Sequence, residues 1–242
     1  MVNLFDVLTG LGIFLGIYTT RKAAQSRNLP EKNIIDAILI SLATGFLGAH
    51  WMHIILYERS FSFSNIGSLF EVWKGISSTG GLLAGAIGCW IFLKAKKLPI
   101  LLYGDCMIMG VWVALFFGRL GCTFVFDHPG AQSDFFLATQ HPLFGTRHNL
   151  GMYEAIFLGL FLVAVKFTSL GKFLQEKTGR WVVYPVAIYG LVRFCLDFLR
   201  ATDIPSADPR YLGLTPAQYT CLFFIGYALF QAKKISVGTI KK

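Results

Sequence analysis

Two arginines and two aspartates in this chain stand against apolar sequence. Arg119 ends the run from about Pro99 to Phe117 and opens the stretch Gly118-Arg119-Leu120-Gly121-Cys122-Thr123-Phe124-Val125-Phe126-Asp127-His128-Pro129-Gly130. Arg193 and Asp197 lie inside a second run, from about Trp181 to Leu199, and the spacing of Tyr189, Arg193, Asp197 and Arg200 puts them on one helix face. An arginine at hydrocarbon depth costs at least ~2.5–3.5 kcal/mol on insertion scales, so such a residue marks a ligand, a pathway or a carboxylate partner. Asp197 is spaced to pair with Arg193 or Arg200. Arginine recognises phosphate in bidentate fashion, and donors aimed at a departing phosphate stabilise its charge. The chemistry this set supports best is displacement at or near a phosphate ester. The plainer readings are an Arg119 that snorkels to headgroups and an Arg193–Asp197 pair that only locks helices together.

Other residues join this set. Ser78 and Thr79 precede Gly80 and Gly81, whose backbone N–H groups are placed to meet an anion at a helix start. Gly85 and Gly88 read as close helix packing. Arg147 and His148 stand just before Tyr153 and Glu154 at the start of another apolar run. His148 is a candidate base. His50 and His53 share a face, but two histidines do not complete a metal set, so they read as packing or hydrogen-bonding residues. The five cysteines are scattered at unrelated spacings and form no metal or disulfide framework. Cys122 is a candidate lining residue with no activating neighbour in sequence.

The elements that must position these side chains are membrane helices. Of the 242 residues, 55% are hydrophobic and 14% charged, against about 45–50% and about 25% in soluble domains. The apolar runs are of about 20 residues, long enough to span a bilayer. They predict seven spans, near Leu4–Thr19, Ile34–Tyr57, Gly81–Leu93, Pro99–Phe117, Leu150–Phe167, Trp181–Leu199 and Leu212–Phe230. The first reads as a retained span, because no small-residue cleavage site follows it. The expected fold is thus one all-α, seven-helix transmembrane domain over residues 1–242, with outer-face loops at 58–74, 118–149 and 200–212.

The net charge of +9 does not imply nucleic acid, because most lysines and arginines sit in short loops between apolar runs. By the positive-inside rule the loops after spans one, three and five, with the tail, are cytoplasmic; the N-terminus is then outside and the C-terminus inside. Arg59, Lys74, Arg119, Arg147, Arg193, Arg200 and Arg210 fall on the outer side, and all but Lys74 are arginine. The charges gather on one side rather than lining a path through the bilayer, which argues against a channel.

These motifs, in this order, resemble the prolipoprotein diacylglyceryl transferase family over about residues 70 to 230. Gly75 to Leu82 resembles the entry to the third span, and Asp105 and Gly118 to Gly130 the family signature, with Arg119, Asp127 and Gly130 at its key positions. Arg147-His148 with Tyr153-Glu154, then Tyr189-Gly190, Arg193-Phe194, Asp197-Phe198, Arg200, Asp203 and Gln218, are similar to its later motifs. The chain departs from the family at Thr79, where a histidine is usual, and at Cys122, which replaces an asparagine. Asp127 replaces a glutamate, and Asn149 and Gly151 replace a proline and a glutamine. His50, His53 and Thr9 depart from an expected arginine and two tyrosines.

The resemblance implies a multi-pass enzyme of the bacterial cytoplasmic membrane with its site facing outward. It would move the diacylglyceryl group of phosphatidylglycerol to the lipobox cysteine of a lipoprotein precursor. A thioether forms and glycerol phosphate leaves. No metal or soluble cofactor is implied, nor any nucleic-acid partner. On this reading Arg119 and Arg193 clamp the phosphate, and Asp127, Asp197 and Glu154 orient the arginines or handle the proton. Tyr153 and Tyr189 hydrogen-bond in the site. Thr79, Gly80, Gly81, Cys122, Gly130, Arg147 and Arg200 complete it, and His148 or His53 substitutes for the family histidine. Two alternatives stay open: the same lipid donor with a different acceptor, and a lipid-binding membrane homologue without turnover.

Overall fold

The computed structural model describes residues 3–57, 67, 69–71 and 75–236. Most of the expected outer loop 58–74, with Arg59 and Lys74, lies outside the described residues. The chain is a helical bundle: α1 (Leu4–Gln25), α2 (Glu31–Met52, continued by a π turn His53–Tyr57), α3 (Ser78–Ala95), α4 (Ile100–Val125), α5 (Leu150–Phe167), α6 (Ser169–Glu176), α7 (Arg180–Leu196, continued by a 3₁₀ turn Asp197–Leu199) and α8 (Pro216–Ser236). Among the described residues, five segments are long and apolar enough to cross a membrane: Glu31–Tyr57, Ser78–Ala95, Ile100–Val125, Leu150–Phe167 and Arg180–Leu199. α1 and α8, of 22 and 21 residues, pack along α4 and α7. Large apolar side chains such as Phe14, Leu39, Leu160 and Phe223 point outward, as lipid-facing residues do.

Close approach of backbones holds the pairs together. Gly45 and Gly48 of α2 face Gly80, Gly81, Ala84 and Gly85 of α3. A Cβ on Gly48 would sit 2.1 Å from the Ala84 Cβ, and one on Gly80 would sit 2.6 Å from the Met52 Cβ. α1 meets α4 in the same manner, Gly16 lying against the Gly110 carbonyl at 2.8 Å from a would-be Cβ. Without a hydrophobic drive between helices in lipid, such small-residue contacts supply the packing. At the far end of α4, Asp105 is fully buried and accepts from the backbone N–H of Gly179 at 2.7 Å and of Val182 at 3.1 Å. It thereby caps the start of α7, whose first N–H groups have no partner within the helix.

Three expectations are corrected. The fold is not purely helical, since β1 (Pro129–Gln132), β2 (Thr139–His141) and β3 (Gly145–Asn149) form an antiparallel sheet in the order β1-β3-β2. The three strands are short and polar, with no alternating apolar face to announce them. The fourth helix does not end at Phe117 but runs to Val125, so Arg119 lies inside it, two turns from its end. Nothing between Gly118 and Val125 stops a helix; Gly121 permits contact with Phe5 of α1, 3.0 Å from a would-be Cβ. The short amphipathic α6, capped by Thr168 and seated through Leu174, stands where a loop is expected.

Candidate active site

Glu154 is the centre of the site. It stands at the start of α5, is fully buried, and receives three donors. Nε of Arg119 from α4 lies 3.1 Å from Oε2, the Tyr189 hydroxyl of α7 donates to the same oxygen at 2.7 Å, and Nη1 of Arg193 donates to Oε1. Both arginines are 3% exposed, which rules out the snorkelling reading of Arg119. Nη2 of Arg119 also donates to the Ser78 hydroxyl at 3.1 Å, so α3, α4, α5 and α7 all meet here.

A second group adjoins the first. Asp197 Oδ1 accepts from Arg200 Nε at 2.9 Å and lies 3.6 Å from Arg193 Nη2, while its Oδ2 accepts from the Thr215 hydroxyl. Arg200 Nη1 reaches Asp208 at 2.6 Å. Arg119, Arg193 and Arg200 are thus offset by Glu154, Asp197 and Asp208. Buried charges are tolerated on such terms, paired and hydrogen-bonded. Among the described residues, the buried Nε of Arg193 is left without a hydrogen-bond partner. A groove of about 480 Å³ lies beside this group, lined by Tyr57, Thr202, Asp208 and Arg210 among others.

Asp127 and His128 close the C-terminal end of α4. α4 stops at Phe126, whose φ of 52° is left-handed and whose N–H returns to the Cys122 carbonyl at 3.0 Å. That turn folds the next two residues back over α4. An Asp127 carboxylate oxygen, a His128 ring nitrogen and the Cys122 Sγ lie within 4.8 Å of one another, and Cys122 Sγ is 3.9 Å from Arg119 Nη1. These three side chains are of types that bind zinc. Burial lifts the Asp127 carboxyl above its usual range against the pull of Arg119. Burial and the charges of Arg200, Arg119 and Arg193 hold the His128 imidazole well below its usual range.

The remaining candidates take different places. Gly130 pairs with Arg200 in an isolated β-bridge and touches His148; a Cβ there would sit 2.6 Å from the His148 Cβ and 2.8 Å from the Leu199 carbonyl. Arg147 is not free to meet a ligand. It is forked onto Asp203 at 2.8 and 2.5 Å and donates to the Gly130 carbonyl at 3.1 Å, so it ties the sheet to the 200–212 loop. His148 bonds Tyr153 at 2.8 Å and forms a pair of its own, outside the Glu154 cluster. The anion-cradle reading of Gly80 and Gly81 fails too. The Gly80 N–H is taken by the Ser77 hydroxyl at 3.3 Å and the Gly81 N–H by the Ser77 carbonyl at 3.0 Å, and both glycines serve packing against α2. Thr79 hydrogen-bonds Ser77 at 2.9 Å and Tyr57 at 3.4 Å.

Two departures have local explanations. Asn149 caps α5, accepting from Met152 N–H at 3.2 Å, and donates to the Thr123 carbonyl at 3.1 Å. Gly151 lets the start of α5 touch α4, with a would-be Cβ 2.9 Å from the Cys122 Cβ. Thr215, Asp208 and His128 also reach the site, and no residue spacing points to them. The only signal for His128 was its place inside the stretch already singled out.

Fold and site together define a multi-pass membrane protein with an arginine–carboxylate centre buried among its helices. The family description of prolipoprotein diacylglyceryl transferase matches residues 1–232, and the chain belongs to that family. Similar proteins include a phosphatidylglycerol–prolipoprotein diacylglyceryl transferase of Streptococcus pneumoniae, 26% identical over 90% of this chain and 84% of the relative. Another of the same name, from Finegoldia magna, is 25% identical over 86% of this chain and 81% of the relative.

Proposed function

We propose that the chain transfers the diacylglyceryl group of phosphatidylglycerol to the lipobox cysteine of a lipoprotein precursor in the bacterial cytoplasmic membrane. The observation that carries this reading is the convergence of Arg119 and Arg193 on Glu154 inside the bundle. Glu154 holds the two guanidinium groups side by side, with Tyr189 fixing the carboxylate. An arriving phosphodiester meets donors already oriented, including the unpartnered Nε of Arg193. Such preorganised donors act most strongly where water is excluded. In the reaction the acceptor sulfur bonds to the glycerol carbon, the carbon–oxygen bond to phosphate breaks, and glycerol phosphate leaves with the electron pair. Arg119 and Arg193 stabilise that charge; Asp197 and Arg200 support Arg193 from behind.

In this reading α1 and α8 join the five apolar segments as spans, the N-terminus lies outside and the C-terminus inside, and the site faces the outer leaflet. Lipid enters between helices, and the acceptor comes from the outer face. A second reading keeps the lipid donor and changes the acceptor. It is favoured by Thr79, whose hydroxyl is bonded to Ser77 and Tyr57 and is no base. The test is purified protein in phosphatidylglycerol vesicles with a lipobox peptide. Mass spectrometry should find a diacylglyceryl thioether on the peptide cysteine, with glycerol phosphate released in equal amount. Lipid turnover without peptide modification would favour the second reading, and no turnover would remove both.

A further inference from the structure

We propose that His128 is the general base that takes the proton from the incoming acceptor thiol; this rests on the thioether-forming reaction proposed above. The left-handed turn at Phe126 brings His128 back beside the last turn of α4. There a ring nitrogen of His128 shares a 4.8 Å neighbourhood with Cys122 Sγ and an Asp127 oxygen, and Cys122 is itself 3.9 Å from Arg119. The imidazole is therefore about one side chain away from the guanidinium that would hold the departing phosphate. It is also reachable: His128 is 21% and Asp127 39% exposed, at the outer end of a helix whose Arg119 is buried.

The other four histidines are engaged elsewhere. His50 Nδ1 faces the Gly75 carbonyl at 3.1 Å, and His53 stacks on Tyr57 and abuts Gly75. His141 packs between Phe126 and Phe144, and His148 bonds Tyr153.

Burial and three arginines favour the neutral ring of His128, and Asp127 favours its protonation. Arg119 and Cys122 face it from α4, Arg193 from α7, Arg200 from the turn after it, and Asp127 from its own loop. Burial and the arginines keep the ring neutral, the form that accepts a proton, and they oppose the imidazolium until a bound phosphate offsets their charge. Asp127, with Oδ2 3.8 Å from Nε2, offsets the imidazolium once it forms. In the step, the acceptor S–H proton passes to the imidazole and the sulfur pair forms the carbon–sulfur bond. The carbon–oxygen bond breaks toward phosphate, and the imidazolium returns its proton to water. Cys122 is not the acceptor, because alkylating it would give a thioether that a second thiol does not displace, and turnover would stop.

The test compares wild type, His128→Gln and His128→Ala in phosphatidylglycerol vesicles with a lipobox peptide, from pH 6 to 9.5. General-base catalysis contributes roughly 10²–10⁴-fold. His128→Gln should lose about 10²-fold at pH 7, and the deficit should shrink roughly tenfold per pH unit as the peptide thiol approaches its own pKa of about 8.5. Added imidazole should restore part of the His128→Ala rate. A deficit that is the same at every pH, with no rescue by imidazole, would make His128 structural and overturn the proposal. Stoichiometric zinc in the purified protein, with activity lost to a chelator, would replace the base by a metal held on these three side chains. A diacylglyceryl adduct on Cys122 would assign His128 to the wrong thiol. Wild-type protein that modifies no peptide at any pH would remove the transfer reaction itself, and the base with it.

Discussion

Glu154→Gln leaves the shape of the site nearly unchanged and removes the charge shared by Arg119 and Arg193. Arg193 keeps Asp197 at 3.6 Å, but among the described residues Arg119 faces no other carboxylate in ion-pair contact. At 3% exposure its guanidinium is left uncompensated. Removing one partner of a buried pair costs about 3–5 kcal/mol. For a chain of this size 1 kcal/mol moves Tm by about 2–4 °C, so Tm in detergent should fall by roughly 6–20 °C. Arg119→Gln should cost less alone, because Glu154 keeps Arg193 and Tyr189. The double variant should be less damaging than the sum, with a coupling of about 1–3 kcal/mol, because it removes both charges together. The same cycle with Arg193 should give less coupling, since Asp197 remains. The assay is thermal unfolding followed by fluorescence in detergent, with lipidation measured on the same preparations. Additive effects of Glu154→Gln and Arg119→Gln, or a Tm within about 3 °C of wild type, would refute a shared buried charge as the organising element.

Further expectations follow from individual contacts. Gly80→Leu should separate α2 from α3 and lower Tm by several degrees, since even its Cβ meets Met52 at 2.6 Å and overpacking costs about 1–3 kcal/mol; unchanged melting would remove the packing role. Asp105→Ala strips the cap from α7 and should cost about 1–2 kcal/mol, with Asp105→Asn retaining part of it. The Arg147–Asp203 fork holds the Asp203 carboxyl below its usual range, so its contribution is present above about pH 4, the ordinary carboxylate value, and lost as pH falls through the lower folded value. Limited proteolysis in the 129–149 sheet should rise over that window and should rise at neutral pH in Arg147→Ala. His128 behaves with the same sign from a different cause. Its imidazole is held below the ordinary value of about 6.5, so the unfolded chain takes up the proton first and stability falls as pH drops below that value. His128→Gln should flatten that part of a Tm-against-pH curve.

The bundle was legible because apolar runs of spanning length announce helices, and the runs at Ile34, Pro99, Leu150 and Trp181 recur as α2, α4, α5 and α7. The one-face spacing of Tyr189, Arg193, Asp197 and Arg200 was legible for the same reason, periodicity within one helix. Partnership between helices was not. Asp197 pairs with Arg193 at 3.6 Å and Arg200 at 2.9 Å, as its spacing allows, but Glu154 from another helix takes both buried arginines. No spacing rule connects residues 119, 154 and 193. Arg147 looked like a ligand-binding arginine because its carboxylate, Asp203, comes from a distant loop. Gly80 and Gly81 looked like an anion site because a helix start and a packing stripe use the same residues. The sheet at 129–149 was hidden by its length and polarity. His128 was passed over because the turn that returns it to the site depends on a left-handed Phe126, a conformation rare outside glycine.

The central claim is that Arg119, held by Glu154, stabilises the departing phosphate. The most direct measurement is complementation of a conditional bacterial strain depleted of its own lipoprotein diacylglyceryl transferase, with wild-type chain and with Arg119→Ala. Precursor lipidation is followed by mass spectrometry and membrane insertion by immunoblot. Wild type should restore diacylglyceryl thioether on the lipobox cysteine, and Arg119→Ala should insert to a similar level and restore none. Lipidation by Arg119→Ala at the wild-type rate would contradict the account.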